Sequence, residues 1–303
     1  MTPYSAPLED MRFVLNHVVG LNEITKLPGF EGIDTNLTNQ ILEEAGKFSS
    51  NILAPLNHLG DTKGAQIENG VVRPVEGFGN AYKQWAQAGW NSSPFDADHG
   101  GQGLPWTLTT ALWEMWDSAN MAFSLCPLLT QAAIDALERH ASNEQKEIYL
   151  EKLVSGEWTG TMNLTEPQAG SDLSAVQTKA IRDGQHYRIK GQKIYITYGE
   201  HDLVGNIIHL VLARTPDAPA GTRGISLFVV PKFLVEADGQ IGERNEVNCL
   251  SLEHKLGIHA SPTAVMSYGD DKGAVGYLVG EENHGLAYMF TMMNAARHAV
   301  GRE

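Results

Sequence analysis

Apolar positions change their period twice along this chain, and the two changes divide it into three parts. Ile41, Ala45, Phe48 and Ile52 fall at the spacing of one buried helix face. Phe78, Tyr82 and Trp85 repeat it, as do Leu112, Trp116, Ala119 and Phe123. Residues from about 5 to 155 accordingly read as helices. Ser142-Asn143-Glu144-Gln145 gives the last of them a hydroxyl cap and an acidic first turn, and Gly156 ends it. From Glu157 to about Tyr277 the texture becomes short alternating runs. Val176–Ile181, His186–Lys190, Ile207–Ala213, Ile225–Val230 and Thr263–Tyr268 read as strands, with Asp183-Gly184 as a hairpin turn. Strands at this spacing predict a small barrel or sandwich. From about Asn283 the period is helical again, with Leu286, Met289, Met293, Ala296 and Val300 as the apolar stripe. The expected fold class is α+β: a helical domain over 1–156, a β domain over 157–280 and a helix over 281–303.

Composition narrows the function classes. A chain of 303 residues has ample apolar content for about two cores. A net charge of −14 argues against nucleic acid or an anionic membrane as main partner, since both require basic surface. Cys126 and Cys249 lie far apart and read as buried, idle thiols of a reducing compartment. The start of the chain lacks the basic and apolar blocks of a signal peptide. No apolar run approaches the roughly 20 residues of a membrane span. A cytoplasmic protein is expected. Trp90, Trp106, Trp113 and Trp116 read as core or interface residues. The loop Phe95–Pro105 is glycine-rich without the lysine of a phosphate loop, so its His99 reads as a solvated loop histidine. Lys179, Arg182, Arg188, Lys190 and Lys193 read as the wet face of the strands that carry them, and no metal site is expected.

Candidate chemistry collects in two stretches. Thr159 to Leu173 reads Thr-Gly-Thr-Met-Asn-Leu-Thr-Glu-Pro-Gln-Ala-Gly-Ser-Asp-Leu. Met162 and Leu164 alternate with polar neighbours as in a strand, Pro167 stops it, and Gly170-Ser171-Asp172 makes a polar turn. Gly191 to Thr197 reads Gly-Gln-Lys-Ile-Tyr-Ile-Thr, with Ile194 and Ile196 expected on one face and Tyr195 and Thr197 on the other. No Gly-x-Gly-x-x-Gly follows a strand, so a Rossmann nucleotide site is not expected.

Together the two stretches resemble the acyl-CoA dehydrogenase family, in which a Thr-Glu-Pro-x-Ala-Gly-Ser-Asp loop and a Trp-Ile-Thr-like strand hold the flavin of FAD. Lys255-Leu256-Gly257-Ile258-His259-Ala260-Ser261-Pro262-Thr263 is similar to a further family segment, and Gly280 to Leu286 to the entry into its next helix. The N-terminal part, Tyr4 to Leu15, is most similar to a long subgroup that includes the 3-methylmercaptopropionyl-CoA dehydrogenases of dimethylsulfoniopropionate breakdown. Members of that subgroup continue for hundreds of residues, so the resemblance implies that 281–303 opens an incomplete C-terminal helical domain.

The resemblance implies α,β-dehydrogenation of an acyl-CoA thioester, with 3-methylthiopropionyl-CoA as the candidate substrate. A base removes the α-proton, and the β-hydride goes to a flavin because no side chain accepts one. It also assigns residues. Met162, Leu164 and Thr165 would contact the flavin pyrimidine edge, Thr197 would donate toward the hydride-accepting nitrogen, and Tyr195 would lie against the ring. Ser171 would meet the pantetheine or CoA portion, and Met293, Asn294 and Arg297 the thioester pocket. For Arg297 an ion pair on a partly buried helix is an equal alternative. The family's base is a glutamate. At the position on this helix where a minority of members carry it stands Ala296, and Glu166 and Asp172 shape the loop in the family, so no catalytic base is expected in this chain. The implied partners are an electron-transfer flavoprotein and further copies of the chain, as homodimer or homotetramer. The alternatives are an acyl-CoA oxidase using oxygen, a family member binding flavin or nucleic acid without dehydrogenation, and a scaffold or assembly partner.

Overall fold

The computed structural model describes residues 3–236 and 238–303; Met1 and Thr2, the first residues of the expected helical domain, lie outside these. Helices dominate up to residue 154. The helix α1 (Leu8–Phe13) runs into a wide π-type turn over Val14–Val19, followed by α2 (Leu21–Ile24). Next comes α3 (Thr35–Phe48), which Asp34 caps by accepting the Leu37 N–H at 2.7 Å. It buries Leu42 and Ala45, and a π-helical turn over Ser49–Leu53 continues that line with Ser49 and Leu53, leaving the predicted Ile41, Phe48 and Ile52 half-buried at its margin. Then α4 (Ala54–Lys63) leads to a hairpin, β1 (Gln66–Glu68) and β2 (Val71–Arg73), which the all-helical expectation did not contain. Asn69 and Gly70 turn it with φ of 52° and 76°, the two left-handed positions that a tight hairpin needs.

After α5 (Phe78–Gln87) comes α6 (Trp106–His140), broken at Asn120 with φ −162° and ψ 83°. Asn120 Oδ1 accepts the Phe123 N–H at 3.1 Å, so Asn120 caps the second half of α6, while its Nδ2 donates to the Leu53 carbonyl. The predicted Trp116–Phe123 face therefore spans two helices. Trp85, Trp113, Trp116 and Phe123 pack as one aromatic core, with the Trp85 and Trp116 ring centroids 4.2 Å apart. Trp106 lies outside that core and is exposed. The predicted cap and acidic first turn stand at the start of α7 (Asn143–Val154), where Ser142 also forms a capping box with Gln145.

Among the described residues the remaining chain builds one eight-stranded sheet and a small hairpin. Its strands are β3 (Trp158–Asn163), β4 (Lys179–Asp183), β5 (His186–Thr197), β6 (Asn206–Ala213) and β7 (Ser226–Pro231), then β10 (Val247–Leu252), β11 (Thr263–Tyr268) and β12 (Ala274–Leu278). The hairpin is β8 (Phe233–Val235) with β9 (Ile241–Arg244). Strand order in the sheet is β10-β11-β5-β12-β7-β6-β3, with β4 also on β5. The predicted strands His186–Lys190 and Gly191–Thr197 are thus one. Among the described residues β3 and β6 are the one parallel strand pair, with an isolated parallel bridge between Lys179 and Arg214. Gly160 lets β3 lie against α6, since a Cβ there would stand 2.5 Å from Ala133 Cβ.

Last comes α8 (Gly285–Arg302), which buries Met289, Met292, Ala296 and Ala299. Val300, expected in that stripe, is exposed, because packing against α6 follows a line rotated by about one residue. Cys126 and Cys249 are both free and buried. Burial pushes both thiols up, Cys249 to about 11. Among the described residues no helix is long and apolar enough to cross a membrane.

Candidate active site

The Thr165–Ala169 loop leaves β3 and closes on itself: Glu166 and Ala169 exchange both backbone hydrogen bonds at 3.0 Å. Glu166 then points inward and its carboxylate is fully committed. Lys193 donates to it at 2.8 Å, Thr178 Oγ1 at 2.6 Å, Gln168 Nε2 at 2.6 Å, and the Gln177 and Thr178 amides at 2.7 and 3.1 Å. Burial alone would raise its pKa; the Lys193 charge and these donors outweigh burial and hold it below the usual range. Lys193 is fully buried, which overturns the expectation that it lies on a wet face. Burial draws its ammonium down against the opposing pull of Glu166. Asp172 instead caps the turn that follows, accepting the Ser174 N–H at 2.9 Å.

The reason Lys193 faces inward is a bulge. In the β5–β11 ladder Ala264 pairs with Ile196 and Met266 with Lys193, so two residues of β5, Ile194 and Tyr195, oppose Val265 alone. The extra residue breaks the predicted two-faced alternation: Lys193 and Ile196 are buried, Ile194 is half-buried and Tyr195 is 60% exposed. Tyr195 takes a left-handed φ of 60°, which is unfavourable for a tyrosine. The bulge also frees the Ile194 N–H, which donates to the Thr165 carbonyl at 2.9 Å. The two stretches singled out in the sequence therefore meet backbone to backbone. Thr197, the last residue of β5, is half-exposed, as are Met162, Leu164 and Thr165.

Behind this surface lies a polar layer that the sequence reading did not identify. Thr159, Thr161 and Asn163 of β3 are buried, although they alternate with Met162 and Leu164. Asn163 accepts from the Tyr268 hydroxyl at 2.7 Å and donates to Thr161 Oγ1 at 2.9 Å; that hydroxyl also meets His209 Nδ1 at 2.7 Å. His201 Nδ1 accepts the Leu203 N–H, which leaves its Nε2 to donate to Thr159 Oγ1 at 3.1 Å. Burial first, and then nearby Lys232, lower both imidazoles to about 3, so both are neutral. Buried Glu200 and Lys232 form an ion pair beside them, which the exposed Arg244 joins from the surface. The signal in the sequence was the alternation of Thr159, Thr161 and Asn163 along β3 and a lone His209 within the apolar β6, which reads equally as surface.

The other predicted residues are more scattered. Ser171 lies exposed on the loop. Met293 packs half-buried against the same apolar cluster as Met162 and Leu164, and Ala296 is buried. Asn294 and Arg297 are exposed on α8, where Arg297 donates to Asn294 Oδ1 at 2.9 Å, so the ion pair considered for Arg297 is replaced by a contact within the helix.

The strained, solvent-facing tyrosine is the observation that tests for a planar cofactor. Left-handed non-glycine residues persist where the surrounding structure over-determines them, and they concentrate at ligand clamps. Here an aromatic face stands at Tyr195, with hydroxyls at Thr165 and Thr197 and half-buried apolar side chains at Met162 and Leu164. That set suits a flat heteroaromatic group with acceptors along its edge, and the residues fit a flavin.

Comparison with known proteins agrees. Residues 36–157 match the model of the acyl-CoA dehydrogenase N-terminal domain, and 161–270 that of the acyl-CoA dehydrogenase middle domain. The 3-methylmercaptopropionyl-CoA dehydrogenase of Ruegeria pomeroyi is 54% identical over 299 residues, covering 98% of this chain and 50% of that protein. A butyryl-CoA dehydrogenase of Syntrophomonas wolfei is 38% identical over 312 residues, with the same coverage of 98% and 50%. The chain spans about half the length of the curated relatives it matches. Among solved structures, Caenorhabditis elegans ACDH-11 in complex with C11-CoA superposes with a TM-score of 0.78 over 99% of this chain and 50% of that one, at 19% identity. Butyryl-CoA dehydrogenase from Megasphaera elsdenii gives 0.71 over 90% of this chain and 66% of that one, at 23% identity.

Proposed function

Because this chain belongs to the acyl-CoA dehydrogenase family, we propose that it forms the flavin-facing part of an enzyme that dehydrogenates an acyl-CoA thioester between its α and β carbons. The observation that carries the proposal is the hydrogen bond from the Ile194 N–H to the Thr165 carbonyl, which joins the two cofactor stretches into one surface beside Tyr195. FAD, when bound, supplies the hydride acceptor that no side chain can. Thr165, with Met162 and Leu164, would hold the pyrimidine edge of the ring. Thr197 would donate to the ring nitrogen that takes the hydride, and Tyr195 would cover one face. Ser171, on the exposed loop, would meet the CoA portion, and Met293, Asn294 and Arg297 on α8 the thioester pocket.

No base is assigned within these residues. The methyl group of Ala296 cannot accept a proton, and every lone-pair direction of Glu166 is engaged by a donor. The acyl group is proposed to be 3-methylmercaptopropionyl, on the strength of the 54% identity to the Ruegeria enzyme; polarizable Met289, Met292 and Met293 on α8 would tolerate its thioether. An electron-transfer flavoprotein would reoxidise the flavin in a cytoplasmic homo-oligomer.

The test is the visible spectrum of the chain titrated with FAD, before and after anaerobic addition of 3-methylmercaptopropionyl-CoA. A bound-flavin spectrum that Thr197→Val and Thr165→Val weaken is expected, without bleaching by substrate. Absence of any flavin binding sinks the proposal. Bleaching would retain it and show that a base does lie within the chain.

A further inference from the structure

The ring of His259 lies between two backbone carbonyls. Its Nδ1 is 2.8 Å from the Asp61 carbonyl oxygen and its Nε2 2.9 Å from that of Lys255. A carbonyl only accepts, so both ring nitrogens donate, and a neutral imidazole has one N–H to give. The Asp61 carboxylate adds a contact of 3.1 Å to Nδ1. Asp61 stands in the last turn of α4, where carbonyls have no partner within the helix. The amide that would have served it, Ala65, donates instead to the His259 carbonyl at 3.0 Å. A cation here meets the negative end of the helix dipole.

Other ionisable groups face this ring. His58 of α4 lines the same recess as Asp61 and His259. In the 253–262 segment the His254 ring centroid is 6.4 Å away, and Lys255 follows it. The hydrogen bonds to Asp61 and then Lys255 raise the ring's pKa from 6.5, against burial and the Lys255 charge.

What the ring holds in place is strained. Ile258 has a φ of 49°, unfavourable for a β-branched residue and sustained only by its surroundings. Ala260 packs against Gly60, where a Cβ would stand 2.9 Å from its own. From there the chain reaches the proposed flavin surface directly: Pro262 accepts the Tyr198 N–H at 2.8 Å and Thr263 pairs with Thr197.

We propose that His259 is a positioning residue, held as an imidazolium between the end of α4 and the Lys255 carbonyl, which fixes the strand end carrying Tyr195 and Thr197 and releases it on losing a proton. The consequence for FAD rests on the function proposed above; the clamp does not.

The test is histidine NMR of the whole chain across neutral to alkaline pH, with amide exchange at Ala65 and Tyr198. The His259 ring is expected to titrate above 6.5 with both nitrogens protonated below its midpoint. Above it both amides should lose protection beyond the intrinsic rise in exchange rate. His259→Arg should keep that protection at alkaline pH, and His259→Gln should lack it throughout. A midpoint at or below 6.5 overturns the proposal, as does an identical pH dependence in His259→Arg and wild type. Should His259→Gln fail to fold, those two measurements decide. FAD titration of Thr197→Val separates the two readings: unchanged FAD binding with the exchange result intact removes the flavin role and leaves the clamp, whereas the reverse removes the clamp alone.

Discussion

Lys193 Nζ lies 2.8 Å from Glu166 Oε1, and both side chains are buried, tying the Thr165–Ala169 loop to β5. Removing one member leaves the other charge without its counter-ion in a dry site, which costs about 3–5 kcal/mol. Lys193→Met is therefore expected to lower the unfolding free energy in urea by that amount. Removing both charges, as in Glu166→Gln with Lys193→Met, should recover a large part of the loss. A double variant no more stable than Lys193→Met alone would show that the pair is not what holds the loop.

Acid should unfold the chain through His201 and His209. Each ring is held at about 3 in the fold against an ordinary value of 6.5, so the unfolded chain takes up protons first as the pH falls. Their contribution is fully present above 6.5 and is lost as the pH falls toward 3. The expected slope reaches about 1.4 kcal/mol per pH unit for each ring. Urea midpoints measured between neutral pH and about pH 5 should fall steeply for wild type. They should fall less for His209→Gln; equal slopes would remove His209 from the account.

The close approach of β3 to α6 predicts intolerance at Gly160. A methyl group there would meet Ala133 Cβ at 2.5 Å and Thr130 Cα at 3.5 Å. Gly160→Ala should destabilise by about 1–3 kcal/mol through overpacking. Ala133→Gly in the same chain should restore part of that, since it opens the space needed, although it weakens α6 by about 1 kcal/mol itself. Thermal melts of the two single variants and the double variant measure the coupling.

How far the sequence disclosed this structure depended on whether the signal was local. The Ser142 box, the Asp183-Gly184 turn and the change from helical to alternating period each rest on a few neighbouring residues, and all three are present. The Asn69-Gly70 hairpin was equally local and was hidden by the helices on either side. The break at Asn120 could not be read, because the apolar spacing from Leu112 to Phe123 continues across it. The loop and strand that make the candidate site were legible as motifs. Their joining was not: it depends on the bulge opposite Val265, which only the ladder to β11 reveals and which turns Lys193 inward. Likewise, Thr159, Thr161, His201 and His209 look like surface residues until the sheet curls over them.

That bulge sets stability against binding at Tyr195. Its φ of 60° is where a bulge ordinarily takes glycine, and a tyrosine there is less favourable by about 1–2 kcal/mol. The ring is 60% exposed, so little packing offsets that strain in the chain by itself. Tyr195→Gly is therefore expected to leave the melting temperature of the FAD-free chain unchanged or to raise it, even though it deletes a large side chain from a strand. If the ring is retained for a flavin to lie against, the same variant should bind FAD at least about tenfold more weakly, the scale of one lost aromatic contact. Tyr195→Trp, which keeps both the strain and the ring, should bind nearly as wild type. Melting curves and FAD titrations of the three chains separate the explanations. A variant that loses stability and keeps its FAD affinity would mean that the tyrosine serves the fold and that the planar surface lies elsewhere.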